Sequence, residues 1–261
     1  INDTEESEEL KMTEPFDPNK INVVPKADSL SNLIERLSNN EVDMDTEFQR
    51  HADLWDNIKM SRFIESILIR FPIPSFYFDA SDENRWLIVD GLQRLSTLRK
   101  FVVDKKLKLK DLEYLKDLND KNYDELPRIY KRRINECPIT IFLLQPGTPD
   151  EVKYSIFRRI NTGGMVLTNQ EIRFAMAPAK IRIFLKKLVE NEFLIKTVGD
   201  QSRRMLNQEL VIRFLAFHEM NYDVQGAKNI TTFLDEMMKK MKEADDSELD
   251  RLKTVFILSM E

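Results

Sequence analysis

The spacing of apolar side chains predicts two amphipathic helices in the first quarter of the chain. Apolar positions recur every three or four residues over residues 30–37, and again over Asn57–Arg70. The second helix must end before Pro72 and Pro74, because proline removes a backbone donor and disfavours a helical conformation in the residue before it. The polar faces of this helix carry Ser61, Arg62 and Glu65.

A strand–turn–helix unit follows. Ser75–Asp79 and Arg85–Asp90 are rich in aromatic and aliphatic side chains, which predicts two strands joined by the polar turn at residues 80–84. Gly91 breaks the second strand, and the apolar positions over residues 92–102 then have helical spacing. We therefore expect a sharp corner where the second strand passes into a helix.

The rest of the chain changes from mixed to helical character. The apolar run Pro138–Leu144 predicts a third strand. Beyond it, Thr148–Glu151 and Thr168–Glu171 are typical of capping boxes, each of which opens a new helix. The expected fold class is α+β, with a small mixed α/β part over residues 28–146 followed by an all-helical part over residues 147–261.

Composition narrows the class of protein. The chain has 261 residues, of which 33% are charged and 42% hydrophobic, as in a globular protein with one large domain or two small ones. Its single cysteine, Cys137, excludes a disulfide framework and a thiolate zinc finger. His51 and His218 are too few for most histidine-dependent metal nucleases. No apolar run approaches the ~20 residues of a membrane span, so we expect a soluble, cytoplasmic protein.

The negative charge is concentrated at the start of the chain. The formal net charge is −5, and residues 1–17 hold seven acids and only one base, which leaves residues 18–261 nearly neutral. We interpret residues 1–27 as an acidic, flexible tail. The chain starts at Ile1 and stops just after the apolar run Val255–Leu258, which we interpret as part of a longer protein, truncated in its helical part.

The strongest candidate for chemistry is the corner Asp90-Gly91-Leu92-Gln93-Arg94. The first N–H groups of a helix favour an anion, and the planar fork of Arg94 suits phosphate oxygens. Gln93 and Thr97 fall on the side away from the leucine stripe, and Asp90 is placed to hold a magnesium-bound water or to orient an attacking one. The simpler alternative is an ordinary corner, in which Asp90 caps the helix and Arg94 is a surface charge.

Three further groups are weaker candidates. The loop Arg158–Gly164 ends in a glycine pair typical of a helix stop, but its arginines and backbone N–H groups also suit a phosphate. Arg50 is typical of a structural ion pair and is also placed for a ligand contact. The candidate DNA-binding cluster consists of Arg128, Lys131, Arg132 and Arg133.

Taken in order, these motifs resemble one family. They run as Phe48-Gln49-Arg50, Val89-Asp90-Gly91-Leu92-Gln93-Arg94-Leu95, Phe157-Arg158-Arg159-Ile160-Asn161-Thr162-Gly163-Gly164 and Arg203-Arg204-Met205. This order is similar to that of the N-terminal domain of GmrSD-type, modification-dependent restriction enzymes, whose fold is related to ParB and sulfiredoxin. The resemblance covers about residues 28 to 220. The family pattern at the corner is D-G-Q-Q-R, and here Leu92 replaces the first glutamine.

The resemblance implies binding and magnesium-dependent hydrolysis of a nucleoside triphosphate, coupled in anti-phage defence to sensing or cutting modified DNA. By position, Asp90, Gln93 and Arg94 carry the catalytic corner, with Asp90 as the magnesium ligand. The implied nucleotide- and phosphate-binding residues are Arg50, Gly91, Thr97, Asn161, Thr162, Gly163 and Gly164. The implied partners are a nucleoside triphosphate, modified DNA and a nuclease domain or subunit outside this chain.

Two alternatives stay open. In the first, the protein is a DNA-binding or DNA-sensing module whose corner grips backbone phosphate and consumes no nucleotide. The basic clusters allow this, although the near-neutral body argues mildly against it. In the second, the protein is a non-catalytic partner subunit in which the motif survives only as part of the fold.

Overall fold

The computed structural model describes residues 21–44, 55–160, 168–199, 205–221 and 229–260. These residues divide into two compact units. The first contains the described residues up to Ile160, and the second contains those from residue 168 onward. The first 20 residues lie outside the described residues, so that part of the acidic tail stays a prediction.

The first unit is built on a five-stranded mixed sheet with the strand order β1-β5-β3-β4-β2. Its strands are β1 (Val23–Ser29), β2 (Val42–Asp43), β3 (Phe76–Asp79), β4 (Trp86–Asp90) and β5 (Pro138–Leu144). Strands β3 and β5 run parallel, whereas β4 is antiparallel to β3. The three strands predicted from the sequence are confirmed, and so is the α+β class.

Strand β1 is an addition to the predicted sheet, because the sequence pattern predicts a tail over residues 23–27. It pairs antiparallel with β5 along its whole length, from Val23 opposite Leu144 to Ser29 opposite Pro138. Residues 24–27 remain exposed in the strand. An edge strand with little buried surface has no clear apolar alternation, and the sequence pattern therefore did not reveal it.

Five helices and the sheet enclose the core of the first unit. The helices are α1 (Leu30–Ser38), α2 (Asn57–Leu68), α3 (Leu92–Leu98), α4 (Arg128–Asn135) and α5 (Asp150–Ile160). Helix α3 continues as one π-helical turn over Arg99–Val103. Residues of the core with no exposed surface include Ile64, Ile67, Phe76, Phe78, Leu95 and Phe101.

Helix α5 belongs to this first unit, which therefore extends beyond residue 146, the boundary that the sequence predicts. Val152 and Phe157 on this helix are buried. The buried Lys153 donates to Asp79 at the end of β3, with 2.7 Å between Nζ and Oδ2. The spacing of apolar residues does not predict an ion pair between segments that are distant in the chain. The sequence alone therefore does not predict that this helix packs against the sheet.

The second unit is helical, as predicted. Its helices are α6 (Asn169–Ala175), α7 (Ala179–Val189), α8 (Glu192–Val198), α9 (Leu206–Glu219), α10 (Ile230–Glu243) and α11 (Asp246–Met260). The capping box predicted at Thr168 is confirmed, with Thr168 Oγ1 accepting from Glu171 N at 3.2 Å and Glu171 Oε2 accepting from Thr168 N at 2.7 Å. Within the described ranges, no helix combines the length and apolar character that a membrane span needs.

Candidate functional site

An irregularity in the sheet positions Asp90. Phe78 of β3 is opposite Ile88 of β4, but the preceding residue of β3, Tyr77, is opposite Asp90. Val89 is therefore an extra residue in β4, which is the arrangement of a β-bulge. Because successive side chains of a strand point to opposite faces, a bulge changes the face toward which the next side chain is directed. It thus sets the direction of Asp90 at the end of the strand.

The turn after Asp90 requires glycine at position 91. Gly91 has φ of 104° and precedes the first residue of α3, so the backbone takes the left-handed conformation there. A Cβ atom at this position would also lie 2.5 Å from Cδ1 of Phe76. The predicted corner is confirmed, and its glycine serves to bring the backbone close to the aromatic core.

Arg94 clamps the corner to the start of β3. Its Nη2 donates to Asp90 Oδ2 at 2.8 Å and to the Ser75 carbonyl oxygen at 3.1 Å, while Nη1 donates to the Pro74 carbonyl oxygen. The guanidinium also lies over the Phe76 ring, 4.6 Å from its centroid. The Arg94 side chain is only 10% exposed. Both Nη atoms of this guanidinium, which the sequence predicts to bind phosphate, thus already donate to groups of the protein.

Burial disfavours the charged form of each partner in the ion pair between Asp90 and Arg94. Burial raises the pKa of the Asp90 carboxyl above its usual value, although Arg94 and the Gly91 backbone N–H act in the opposite direction. Burial likewise lowers the pKa of the Arg94 guanidinium, against the favourable effect of Asp90. The Asp90 side chain is 33% exposed, so this carboxylate is accessible while its partner is enclosed. A partly buried, accessible acid with a perturbed pKa is typical of functional sites.

Gln93 connects the corner to the start of α2. Its side-chain Oε1 accepts a hydrogen bond from the backbone N–H of Trp55 at 3.2 Å. One turn along α3, the Thr97 hydroxyl donates to the Gln93 carbonyl oxygen at 2.7 Å. Thr97 has no exposed surface. Direct contact of Thr97 with a phosphate, which the motif predicts, therefore does not fit this structure.

Five other predicted nucleotide-binding residues have no described position relative to the corner. Arg50 and the loop Asn161, Thr162, Gly163 and Gly164 lie outside the described residues. Just after that loop, Arg173 is buried in the second unit, where it donates to Asp235 at 2.6 Å and to the Thr231 carbonyl oxygen at 3.1 Å. Arg173 thus contributes to the internal packing of that unit.

The four basic residues of α4 differ in their surroundings. Arg133 donates to the Leu68 carbonyl oxygen at 2.8 Å, which joins α4 to the end of α2. Lys131 donates to the Asp124 carbonyl oxygen at 2.8 Å. Arg128 and Arg132 are exposed, and Arg132 lies 3.8 Å from Glu136. Lys131 and Arg133 therefore donate to carbonyl groups of the protein, and Arg132 forms an exposed ion pair at the end of its own helix.

A resident metal centre is not built into the described part of the chain, where no group of three or more His, Cys, Asp or Glu side chains is arranged to hold an ion. Magnesium bound together with a nucleotide needs fewer protein ligands, because phosphates and waters complete its coordination. A single accessible carboxylate fits that mode. Asp90 is the residue of the corner that would supply it.

Several groups that contribute to the corner are not predicted by the sequence. These are the carbonyl groups of Pro74 and Ser75, the backbone N–H of Trp55 and the ring of Phe76. Three of the four contacts use backbone atoms, which every residue type supplies. Their positions depend on strand register and helix placement, so the amino-acid sequence carries no local signal for them.

Comparison with known proteins identifies the family. Residues 30–177 match the model of the GmrSD restriction endonuclease N-terminal domain, and this match covers more than half of the chain. The chain belongs to this family, which confirms the resemblance drawn from its motifs. The match includes the whole of the Asp90–Arg94 corner and indicates a restriction and anti-phage defence context. No curated protein and no solved structure shows significant similarity to the chain.

Proposed function

We propose that the Asp90–Arg94 corner binds a nucleoside triphosphate and promotes its magnesium-dependent hydrolysis, in a protein that controls DNA restriction. The observation that carries the proposal is the arrangement of Asp90. Its carboxyl stands at the end of a bulged strand, is accessible at 33%, and is held through Oδ2 by a nearly buried arginine. Family membership supports the restriction context.

The chemistry requires little covalent participation by the protein. Phosphoryl transfer depends mainly on positioning and on charge placed where the transition state develops it. Bound magnesium would neutralise charge on the phosphates. Asp90 would hold the ion or its water, and Gly91 allows the backbone to turn sharply beside that carboxylate.

Arg94 has a different role in this proposal from the one suggested by its place in the motif. Because its guanidinium donates to Asp90 and to two carbonyl groups of the chain, it orients the carboxylate. We therefore regard Arg94 as a positioning residue. Its removal would disturb the corner as well as any nucleotide bound there.

The test is nucleotide turnover by the purified protein with magnesium and each of the four common triphosphates. The informative variant is Asp90→Asn, whose amide oxygen still accepts from Arg94, so that the corner keeps its shape. Asp117→Asn, at an exposed position of the same unit, is the matched control. We expect turnover in the wild type and the control and a loss of about 100-fold or more in Asp90→Asn. Equal background rates in all three proteins would refute hydrolysis at this corner.

A second candidate function is DNA binding through α4. The supporting observation is that Arg128 and Arg132, one helical turn apart, are both exposed and lie on one side of the helix. Such a pair suits contacts to backbone phosphates, which are independent of base sequence and weaken as salt is added. The corner and this helix are separate features, so one function does not require the other.

A further inference from the structure

We propose that the stacked rings of Tyr77 and Phe142 form a platform for the base of the nucleoside triphosphate, with the base lying against the face of Tyr77 that is directed toward β4. The inference rests on the proposed nucleotide site and adds to it a part that recognises the base. In that site, the Asp90–Arg94 corner supplies the contacts for magnesium and phosphate. Neither aromatic residue belongs to the corner motif.

The strand register places the aromatic pair beside Asp90. Tyr77 of β3 is opposite Asp90 of β4 on one side and pairs with Phe142 of β5 on the other. Phe142 is in turn opposite Pro25 of the edge strand β1. Directly opposite residues of neighbouring strands have Cβ atoms only about 5 Å apart. Tyr77 is therefore a direct neighbour of the accessible carboxylate.

The pair lies on the face of the sheet that is opposite to the aromatic core. Phe76 and Phe78, the neighbours of Tyr77 along β3, have no exposed surface and belong to that core. Because side chains alternate along a strand, Tyr77 points to the other face. Phe142 likewise lies between two buried core residues of β5. Both rings remain partly exposed, so aromatic surface is accessible beside the corner.

The geometry of the pair leaves one face of the Tyr77 ring free. The two rings are stacked, with 4.8 Å between their centroids and 10° between their planes, so each covers one face of the other. Strand β3 lies between β5 and β4 in the sheet, and the second face of Tyr77 is therefore on the side of β4. Among the described residues, no second ring contacts Tyr77 and no group forms a hydrogen bond with its hydroxyl.

Helix α5 limits this surface at one end. Asp79 follows Tyr77 by two residues and hence lies on the same face of the sheet. Its carboxylate accepts from Lys153 of α5 at 2.7 Å, and both side chains are nearly buried. The helix thus covers the face next to the aromatic pair, and the accessible part is the side toward the corner.

A nucleobase is the occupant that fits this surface. Every base has a flat π-face, and stacking on an aromatic side chain binds bases of any kind. The carboxylate of Asp90 disfavours an anion lying directly on the ring, whereas a base is uncharged. Because a nucleoside triphosphate joins an aromatic base to phosphates and magnesium, it can contact the platform and the corner at the same time.

The test compares nucleoside triphosphates with a ligand that has phosphates but no base. Calorimetry measures binding of the four common triphosphates and of inorganic tripolyphosphate, each with magnesium, to the wild type and to Tyr77→Leu. Leucine keeps an apolar side chain but has no π-face. We expect Tyr77→Leu to bind the triphosphates at least 5-fold more weakly and tripolyphosphate within twofold of the wild type. Tyr77→Phe, which keeps the ring, should bind every ligand like the wild type.

Tyr114→Leu is the matched control, because it removes a tyrosine ring from the same unit at a position that is 61% exposed. This variant should bind every ligand within twofold of the wild type. If Tyr77→Leu weakens tripolyphosphate binding as much as triphosphate binding, the ring supports the corner and the assignment to the base is overturned.

Tyr77→Trp provides a second test if the leucine variant does not fold. The indole keeps an aromatic face at this position, and a base stacked on it quenches its fluorescence. Each triphosphate with magnesium should therefore quench a larger fraction of the emission in Tyr77→Trp than in the wild type, whose tryptophans are Trp55 and Trp86. Tripolyphosphate should cause no such difference. Equal fractional quenching of the two proteins by the triphosphates would refute the stacking.

The two proposals fail in different ways. If the wild type binds neither the triphosphates nor tripolyphosphate, the proposed function fails and this inference fails with it. If the wild type binds the triphosphates and Tyr77→Leu binds them equally well, the nucleotide site stands and the role of the aromatic pair is refuted.

Discussion

Gly91 and Phe76 are in such close contact that a Cβ atom on Gly91 would lie 2.5 Å from Cδ1 of the Phe76 ring. The same ring lies beneath the Arg94 guanidinium, 4.6 Å from its centroid. The aromatic core of the sheet thus supports both the turn and the arginine that orients Asp90. Changes at this contact should therefore affect folding and the candidate site together.

Substituting Gly91 by alanine should destabilise the first unit by about 2–4 kcal/mol. One part is the strain of a positive φ for a residue with a side chain, and the other is the overlap with Phe76. Gly147→Ala is the control, because Gly147 has φ of 87° but no atom within 4 Å of the added Cβ. It should cost only about 1 kcal/mol. Both tryptophans, Trp55 and Trp86, lie in the first unit, so denaturant unfolding followed by tryptophan fluorescence measures the difference. An equal loss of stability in Gly91→Ala and Gly147→Ala would exclude a contribution from the overlap with Phe76.

Arg94→Ala and Asp90→Asn should have opposite effects on stability. Removing the arginine leaves a partly buried carboxylate unpaired and two carbonyl groups without their donor, which should cost about 2–4 kcal/mol. Replacing the aspartate removes a charge that burial disfavours, while the amide oxygen can still accept from Arg94. We therefore expect Asp90→Asn to be at least as stable as the wild type at pH 7.

The sign of the pH dependence follows from the raised pKa of Asp90. A group whose pKa is higher in the folded state stabilises the fold when protonated, and this contribution is lost as the pH rises through that pKa. The free energy by which Asp90→Asn is more stable than the wild type should thus be largest at neutral pH. This difference should disappear below about pH 4, near the usual pKa of an aspartate. Fluorescence-detected unfolding at pH 7 and pH 4 measures it. A constant difference would contradict the raised pKa.

In the second unit, Glu219 should contribute to stability at neutral pH. Hydrogen bonding from Arg251 lowers the pKa of this carboxyl to about 2, with Lys240 and His218 acting in the same direction against burial. The Glu219 Oε2 atom lies 2.6 Å from Arg251 Nη2 and 2.8 Å from Lys240 Nζ. Glu219→Gln should cost about 1–3 kcal/mol at pH 7.

This difference between Glu219→Gln and the wild type should shrink as the pH falls below about 4.5 and vanish near pH 2, because a lowered pKa contributes stability only above it. Circular dichroism is the suitable measurement, since neither tryptophan is in this unit. Glu192→Gln, at a position that is 84% exposed, is the control and should change stability little. An unchanged difference at pH 3 would contradict the assignment.

Substitutions of Arg132 and Arg133 on α4 should differ in their effect on stability. Arg132→Glu should leave stability within about 0.5 kcal/mol, since the residue is exposed. Arg133→Ala removes the donor to the Leu68 carbonyl oxygen and should cost about 1–3 kcal/mol. If the protein binds DNA through this helix, Arg132→Glu should also weaken binding and reduce its salt dependence, as measured by fluorescence anisotropy at several salt concentrations. DNA binding that ignores both salt and this variant would refute the second candidate function.

Much of the local structure could be predicted from the sequence, because it depends on short-range patterns. Proline marked the end of α2, and the threonine and glutamate of the Thr168 capping box marked the start of α6. The corner at Gly91 was also predictable, since an aliphatic strand, a glycine and a leucine stripe are contiguous in the chain. The family could be assigned for the same reason, since its motifs are short and ordered.

Tertiary structure decided the roles of the polar residues. Glu65, predicted on a polar helix face, is buried, and its carboxylate accepts from the backbone N–H groups of Glu113, Tyr114 and Leu115 at 2.7–3.0 Å. Burial opposes ionisation of this acid, but these donors hold its pKa below the usual value. No periodicity predicts such contacts, because the donors are backbone atoms some 50 residues away.

The same reasoning applies to the candidate site. The sequence by itself determined that an acid, a glutamine and an arginine meet at a strand-to-helix corner, since their spacing and the glycine between them are local properties. Only the tertiary structure decided that Arg94 binds carbonyl groups inside the protein, that Thr97 is buried, and that Gln93 turns its oxygen toward Trp55. The physical reason is that hydrogen-bond partners are chosen by distance in space. Apart from Asp90, the partners of the Arg94 and Gln93 side chains are backbone groups 19 to 38 residues away.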